Sequence, residues 1–157
     1  ASVEECAAYE FRKDFKAKIA GLQKQRVLKQ EIKKLNNHSQ LYLSRRKLGV
    51  KGLWVRDWRV KGTWKREGED IWTVYNDTVE FDQDHPLVPG SIRASTVTTW
   101  LYEPMKIGDI QATKATFIAR IDVKLFVPNV IMNKLAVGFA NNMIALRKKF
   151  DKTKEIG

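Results

Sequence analysis

Trp54-Val55-Arg56-Asp57-Trp58-Arg59-Val60-Lys61-Gly62-Thr63-Trp64 has an alternation that suits an extended chain. Successive side chains of a strand point to opposite faces, so Trp54, Arg56, Trp58, Val60, Gly62 and Trp64 share one face. From position 57 onward, Asp57, Arg59, Lys61 and Thr63 share the other. The even face is aromatic around a single arginine. The odd face is predicted to be wet.

The flanks supply a sheet for this strand. Before it, Gln40 to Arg46 alternates Leu41 and Leu43 with Tyr42 and Ser44 and reads as a strand, with Asn36-Asn37-His38-Ser39 as the turn ahead of it. After it, Arg66-Glu67-Gly68-Glu69-Asp70 is a hairpin turn, and Ile71 to Phe81 is dense in β-branched and aromatic residues. Asp82 to Pro86, with Pro89-Gly90, is a loop. Ser91 to Tyr102 returns to strand, ended by Glu103-Pro104, and Gly108-Asp109 turns into a last strand over 111–125.

Helices are predicted at both ends. Ser2 with Glu5 makes a capping box, and Val3, Cys6, Ala7 and Glu10-Phe11 have helical spacing over 2–11. From Phe15 to Leu35 apolar residues recur every three to five positions with Gly21 as a break, and residues 25–35 also fit a strand. Pro128 suits the first turn of a helix running to about Lys152. Its apolar stripe is Ile131, Leu135, Phe139, Met143, Leu146 and Phe150, widened by Val130, Val137 and Ile144. Consecutive antiparallel strands and a long terminal helix imply an α+β domain with its sheet wrapped against that helix. There is no repeat and no linker, so residues 1–157 read as one domain.

The chain carries +11, from 29 basic and 18 acidic residues. Residues 1–50 hold 12 Lys/Arg against 5 Asp/Glu, residues 51–110 hold 8 against 10, and residues 111–157 hold 9 against 3. The excess thus sits on the two helical ends, as solvated faces or as a surface for anionic partners. The most apolar stretch, 125–132, is broken by Pro128 and Asn129 and falls far short of the roughly 20 residues that span a bilayer. The first residues are acidic where a signal peptide is basic, and the single cysteine, Cys6, excludes an internal disulfide. The expected location is cytoplasmic, peripherally associated with membranes.

Several pieces resemble START lipid-binding domains. Val55-Arg56-Asp57-Trp58 is similar to that family's Arg-Asp-aromatic strand motif, and 79–89 to its short loop ending in proline. Ser91-Ile92-Arg93-Ala94 with Trp100-Leu101-Tyr102-Glu103-Pro104 resembles the following strand, Thr116 to Asp122 the last strand, and Val127 to Asn133 the start of the terminal helix. Five pieces stand in the family's order. Ser2 to Tyr9 also looks like its second helix. The resemblance implies a helix-grip fold enclosing one lipid, and transfer of that lipid between membranes. START domains carry a further helix and three strands ahead of this point, so the chain reads as an N-terminally incomplete domain. The missing wall of its sheet would come from another segment or chain.

A lipid needs apolar walls and a few placed polar groups. The even face of the first strand offers Trp54, Trp58, Val60 and Trp64 around Arg56. The resemblance implies that Arg56 points into the cavity, where it could hold a phosphate or carboxylate; pairing with Asp57 at the surface is the other reading. Trp72, Tyr75, Trp100 and Tyr102 line the same space, cage a choline ammonium, or are plain core. Ile131, Leu135, Phe139 and Met143 face the lipid or simply pack on the sheet. Asn141 and Asn142 are within reach of a headgroup or form a polar flank. Arg147, Lys148 and Lys149, with Lys152 and Lys154, would meet an anionic leaflet, and Lys33-Lys34 and Arg45-Arg46-Lys47 are second contacts. A phospholipid is favoured over sterol or ceramide, and no cofactor is expected.

Other chemistries find less support. His38, His85, Asp82 and Asp84 have no metal-ligand spacing, and Cys6 has no evident base beside it. An enzyme would need an acid in the cavity, for which Asp77, Glu80 and Glu103 are the candidates. A basic, aromatic-rich nucleic-acid-binding module is the main alternative, but few basic residues beyond Arg56 stand on the aromatic faces. No nucleic-acid partner is therefore expected.

Overall fold

The computed structural model describes residues 1–12, 27–49, 51–124 and 126–151. Its elements are α1 (Val3–Phe11), β1 (Val27–Lys34), β2 (Ser39–Arg46), β3 (Val55–Glu67), β4 (Asp70–Asp77), β5 (Ser91–Arg93), β6 (Ser95–Ile107), β7 (Ile110–Asp122) and α2 (Asn129–Phe150). The capping box closes α1: Ser2 Oγ accepts from Glu5 N–H at 3.2 Å, and Ser2 N–H donates to Glu5 Oε2 at 2.8 Å. Two hairpins turn on two-residue loops, Gly68-Glu69 and Gly108-Asp109, each led by a glycine with φ near +60° (61° and 60°), which side chains disfavour.

The strands form one seven-stranded sheet, six of them antiparallel neighbours in the order β1-β2-β3-β4-β6-β7. β5 lies parallel to the first residues of β3, in the lane that β4 does not reach. Both helices lie against one face, here the inner face, and the molecule has the expected α+β helix-grip architecture. Val27 to Lys34 is strand, which resolves the two readings of that stretch; Phe15, Ile19, Gly21 and Leu22 lie outside the described residues.

Five expectations change. β4 ends at Asp77 rather than Phe81: Thr78 N–H makes one last in-register bond to Arg59 O at 3.0 Å, and the chain then turns, with Asp82 N–H donating to Val79 O at 2.9 Å. The strand from Ser91 is split at Ala94, whose N–H donates to Asp57 O at 2.9 Å, into β5 and β6. Pro104 does not end β6, since β4 begins at Asp70 and the β6–β7 hairpin outruns it, so a missing N–H interrupts no ladder on that side. The last strand stops at Asp122. The row Val130, Val137 and Ile144 does not widen the buried stripe of α2: all three are exposed, on the side turned away from the sheet.

The outer face of β3 is also not wet. Asp57 and Arg59 are 0% and 1% exposed, covered by residues 78–90, which cross this half of the sheet. Phe81 is buried there with Leu41 and Leu43 of β2. The loop is therefore a packed strap over the sheet.

Candidate functional site

Cross-strand register decides which side chains share the inner face. Arg46 stands opposite Arg56, Ser44 opposite Trp58, and Tyr42 opposite Val60. Gly62 faces Tyr75 and Trp64 faces Thr73; Thr73 in turn faces Trp100, Ile71 faces Tyr102, and Trp100 faces Phe117. Arg56, Trp58, Val60, Trp64, Tyr75, Trp100 and Tyr102 are thus brought to one face. Trp72 is not: it opposes Lys65 and Leu101 on the outer face. Trp54 precedes β3 and stands 59% exposed at the rim. Trp100 and Tyr102 are buried and stacked, with centroids 5.9 Å apart and planes at 3°. With Trp72 turned away, these aromatics enclose no common cage.

The inner face is covered in two places. At one end α1 and the last turns of α2 pack on the sheet: Val3, Cys6, Ala7 and Leu146 meet Tyr42, Val60, Ile71, Tyr75, Trp100 and Tyr102. Gly62 is needed here, because a Cβ would lie 2.6 Å from Tyr75 Cε1. Glu10 reaches into this cluster and accepts a 2.8 Å hydrogen bond from the Tyr75 hydroxyl. Burial and the Glu10 carboxylate hold the Tyr75 phenol well above its ordinary pKa, and burial does the same for Tyr102. The buried Tyr102 hydroxyl lies within the field of Glu10 and next to the buried Thr73 hydroxyl. Glu10 carried a sequence signal, since it falls on the same helical stripe as Val3, Cys6 and Ala7.

At the other end Trp58 packs with Ala94, Val123 and Val127, and Ile131 and Leu135 of α2 lie against them. Arg56 is fully buried here. Its Nε donates to Val123 O at 2.6 Å, Nη1 to Trp54 O at 2.5 Å and Nη2 to Lys124 O at 3.4 Å. It makes no ion pair among the described residues, and burial alone lowers its pKa. Arg46 was expected only as a membrane contact. It instead lays its guanidinium over Trp58, 5.7 Å from the ring centroid, and donates to Ser44 Oγ at 2.7 Å and Tyr42 Oη at 3.0 Å. No signal within β2 marks Arg46, because its position depends on register with β3.

Between the two clusters the cover is incomplete. Phe139, one helical step from both Leu135 and Met143, is half-buried and belongs to neither cluster. On the inner face of β6 and β7, Thr96 and Thr98 are half-buried and Ala119 is exposed. The middle of α2 thus lies over an incompletely covered stretch of the inner face, with the Glu10 carboxylate in the cluster on one side and two guanidinium groups in the cluster on the other. Asn141, Asn142, Arg147, Lys148 and Lys149 are exposed, and Lys152 and Lys154 lie outside the described residues.

The outer face holds a different set of charges. Asp57 accepts from Arg45 Nε and Arg59 Nε, both at 2.7 Å, while Asp82 of the strap accepts from Arg59 at 2.6 Å and Arg93 at 2.8 Å. His85 Nε2 lies 3.2 Å from Glu31, and Lys61 donates to Glu80 at 2.9 Å. Arg56 therefore does not pair with Asp57, which lies across the sheet from it. The acids considered for catalysis do not converge: Glu80 binds Lys61, Glu103 binds Lys114, and Asp77 accepts from Ser95 and Thr96.

Solved structures share this fold. The chain superposes on human STARD10 with a TM-score of 0.63 and 20% identity, over 87% of this chain and 56% of that one. It superposes on the lipid transfer and protein localization domain of human StarD13 with a TM-score of 0.67 and 19% identity, over 96% of this chain and 72% of that one. The fold is that of a START domain. No family sequence model and no curated protein matches the chain by sequence. The START fold thus spans this chain almost completely, while the chain spans little more than half of the STARD10 structure.

Proposed function

We propose that this START-fold chain binds one lipid in the trough between the inner sheet face and α2, and carries it between membranes. The observation behind this reading is the incomplete cover: beside the buried aromatic cluster, Thr96 and Thr98 stay half-buried and Ala119 exposed on the inner face, and Phe139 of α2 is half-buried and joins neither cluster. Apolar walls with placed polar groups are what an amphiphile needs. Two guanidinium groups at the Trp58 end favour a phospholipid over sterol or ceramide. A base-stacking role for nucleic acid gains little, because Trp58, Trp100 and Tyr102 are covered.

Membrane approach is supported by α2 itself. The helix has four basic residues, Lys134, Arg147, Lys148 and Lys149, and no acidic one. Its outward row, Val130, Val137 and Ile144, follows Phe126, which is 93% exposed. Apolar side chains beside bases suit an anionic leaflet. No described helix is long and apolar enough to cross a membrane. β7 ends the sheet with no ladder partner on its outer side among the described residues, whereas β1 protects its edge with Lys29, Lys33, Lys34 and a bulge. The wall beside β7 belongs to a further segment or another chain.

Native mass spectrometry of the purified chain, with lipid extraction and a vesicle-to-vesicle transfer assay, tests the proposal. One lipid per chain and accelerated transfer are expected, with loading lost in Phe139→Asp. A chain that retains no lipid and speeds no transfer sinks it.

A further inference from the structure

We infer that Arg46 holds an anionic headgroup, a phosphate or carboxylate, at the Trp58 end of the trough, with Arg56 fixed behind it as an uncompensated charge. The inference rests on the carrier reading above and names the headgroup chemistry of that site. Arg46 and Arg56 are direct cross-strand partners, an arrangement that is unfavourable for like charges. Neither forms an ion pair among the described residues, although Arg45, Arg59 and Arg93 all do. Arg56 is out of water and needs a counterion, and among the described residues the inner face supplies none at this end.

The two arginines differ in what they have left to offer. Arg56 spends Nε and both terminal nitrogens on backbone carbonyls, so it contributes field rather than contact. Arg46 is held by Ser44 and Tyr42 through Nε and Nη2 and braced on Trp58, and its Nη1 has no hydrogen bond among the described residues. A guanidinium fixed in this way is set to receive an oxyanion with little loss of freedom. The start of α2 adds to the field. No side chain caps it, its first turn contains no acid, and Val127 and Ile131 place it beside Trp58.

Purified chain is incubated with phosphatidylcholine vesicles containing phosphatidic acid and cholesterol, then recovered and its lipid extracted. Wild type is expected to retain phosphatidic acid in preference to cholesterol. Arg46→Gln is expected to cut phosphatidic acid retention at least tenfold and to change cholesterol retention less than twofold. Arg46→Lys, which keeps the charge but not the fork, falls between them. Phosphatidic acid retention in Arg46→Gln equal to wild type overturns the assignment. If wild type retains no lipid at all, the carrier reading fails. Inorganic phosphate titrated against the Arg46 Nε–H resonance then decides the anion site by itself. A saturable shift abolished in Arg46→Gln keeps the site, and no shift overturns it.

Discussion

Arg56 and Arg59 are three positions apart on one strand, equally buried, and surrounded in opposite ways. Arg59, on the outer face, has Asp57 and Asp82 within hydrogen-bond distance, and those acids hold Arg45 and Arg93 as well. Arg56, on the inner face, donates to carbonyl oxygens alone among the described residues and stands opposite a second arginine. Burial without a counterion is costly, so the two faces cannot be serving the same purpose. The outer network is internally paired and fastens the strap to the sheet. The inner pair is left for something that arrives from outside.

The largest effect should come from breaking the paired side. Asp57 is fully buried between Arg45 and Arg59, and Asp57→Ala leaves two guanidinium groups facing each other without their acid. Loss of one member of a buried ion network costs about 3–5 kcal/mol. This is a large share of the ~5–15 kcal/mol that holds an ordinary domain together. Urea unfolding of wild type and Asp57→Ala measures it. A change below ~1 kcal/mol would mean that the strap does not depend on its charges, and the contrast between the faces would collapse.

A smaller loss is expected on the inner face, from packing rather than charge. In Gly62→Ala the new Cβ meets Tyr75 Cε1 at 2.6 Å and Cδ1 at 2.8 Å, and Phe11 stands behind at 3.4 Å. Tyr75 cannot retreat easily, because its hydroxyl is bonded to Glu10. Overpacking of this kind costs about 1–3 kcal/mol. Thermal unfolding gives the loss, and near-ultraviolet circular dichroism should show the aromatic cluster disturbed. An unchanged Tm would indicate that α1 is loosely seated and that the Glu10 end of the trough is open too.

How far the sequence foretold this arrangement depends on whether a feature is local. The alternation from Trp54 to Trp64 and the stripe Ile131-Leu135-Phe139 are periodic, and period alone placed the strand, the helix and their facing sides. Burial of Asp57 and Arg59 depends on a strap twenty and more residues away. Polarity along one strand cannot report a lid from elsewhere, so the odd face read as wet. Trp72 shows the same limit. Ile71-Trp72-Thr73-Val74-Tyr75 alternates legibly, but only the two-residue Gly68-Glu69 loop fixes which set turns inward. The role of Arg46 is more deeply hidden, since it exists only once β2 and β3 are in register.

The smallest effect separates the faces by pH. Burial pulls the Asp82 carboxyl upward, but the guanidinium groups of Arg93 and Arg59 outweigh it and hold the group below the ordinary aspartate value of about 3.9. A carboxylate with a depressed folded pKa contributes stability that is fully present above its unfolded pKa. That contribution disappears as pH falls through the folded value. Asp82 is 44% exposed, so solvent screening limits the contribution to about 1 kcal/mol. Asp82→Asn should therefore be less stable than wild type at neutral pH, and the two unfolding curves should converge as the pH drops below about 4. Arg46 pairs with no acid among the described residues, so the small stability difference of Arg46→Gln from wild type should stay flat across the same range. A convergence seen for Arg46→Gln as well would reveal a carboxylate partner on the inner face, and the headgroup site would then already be filled by the protein itself.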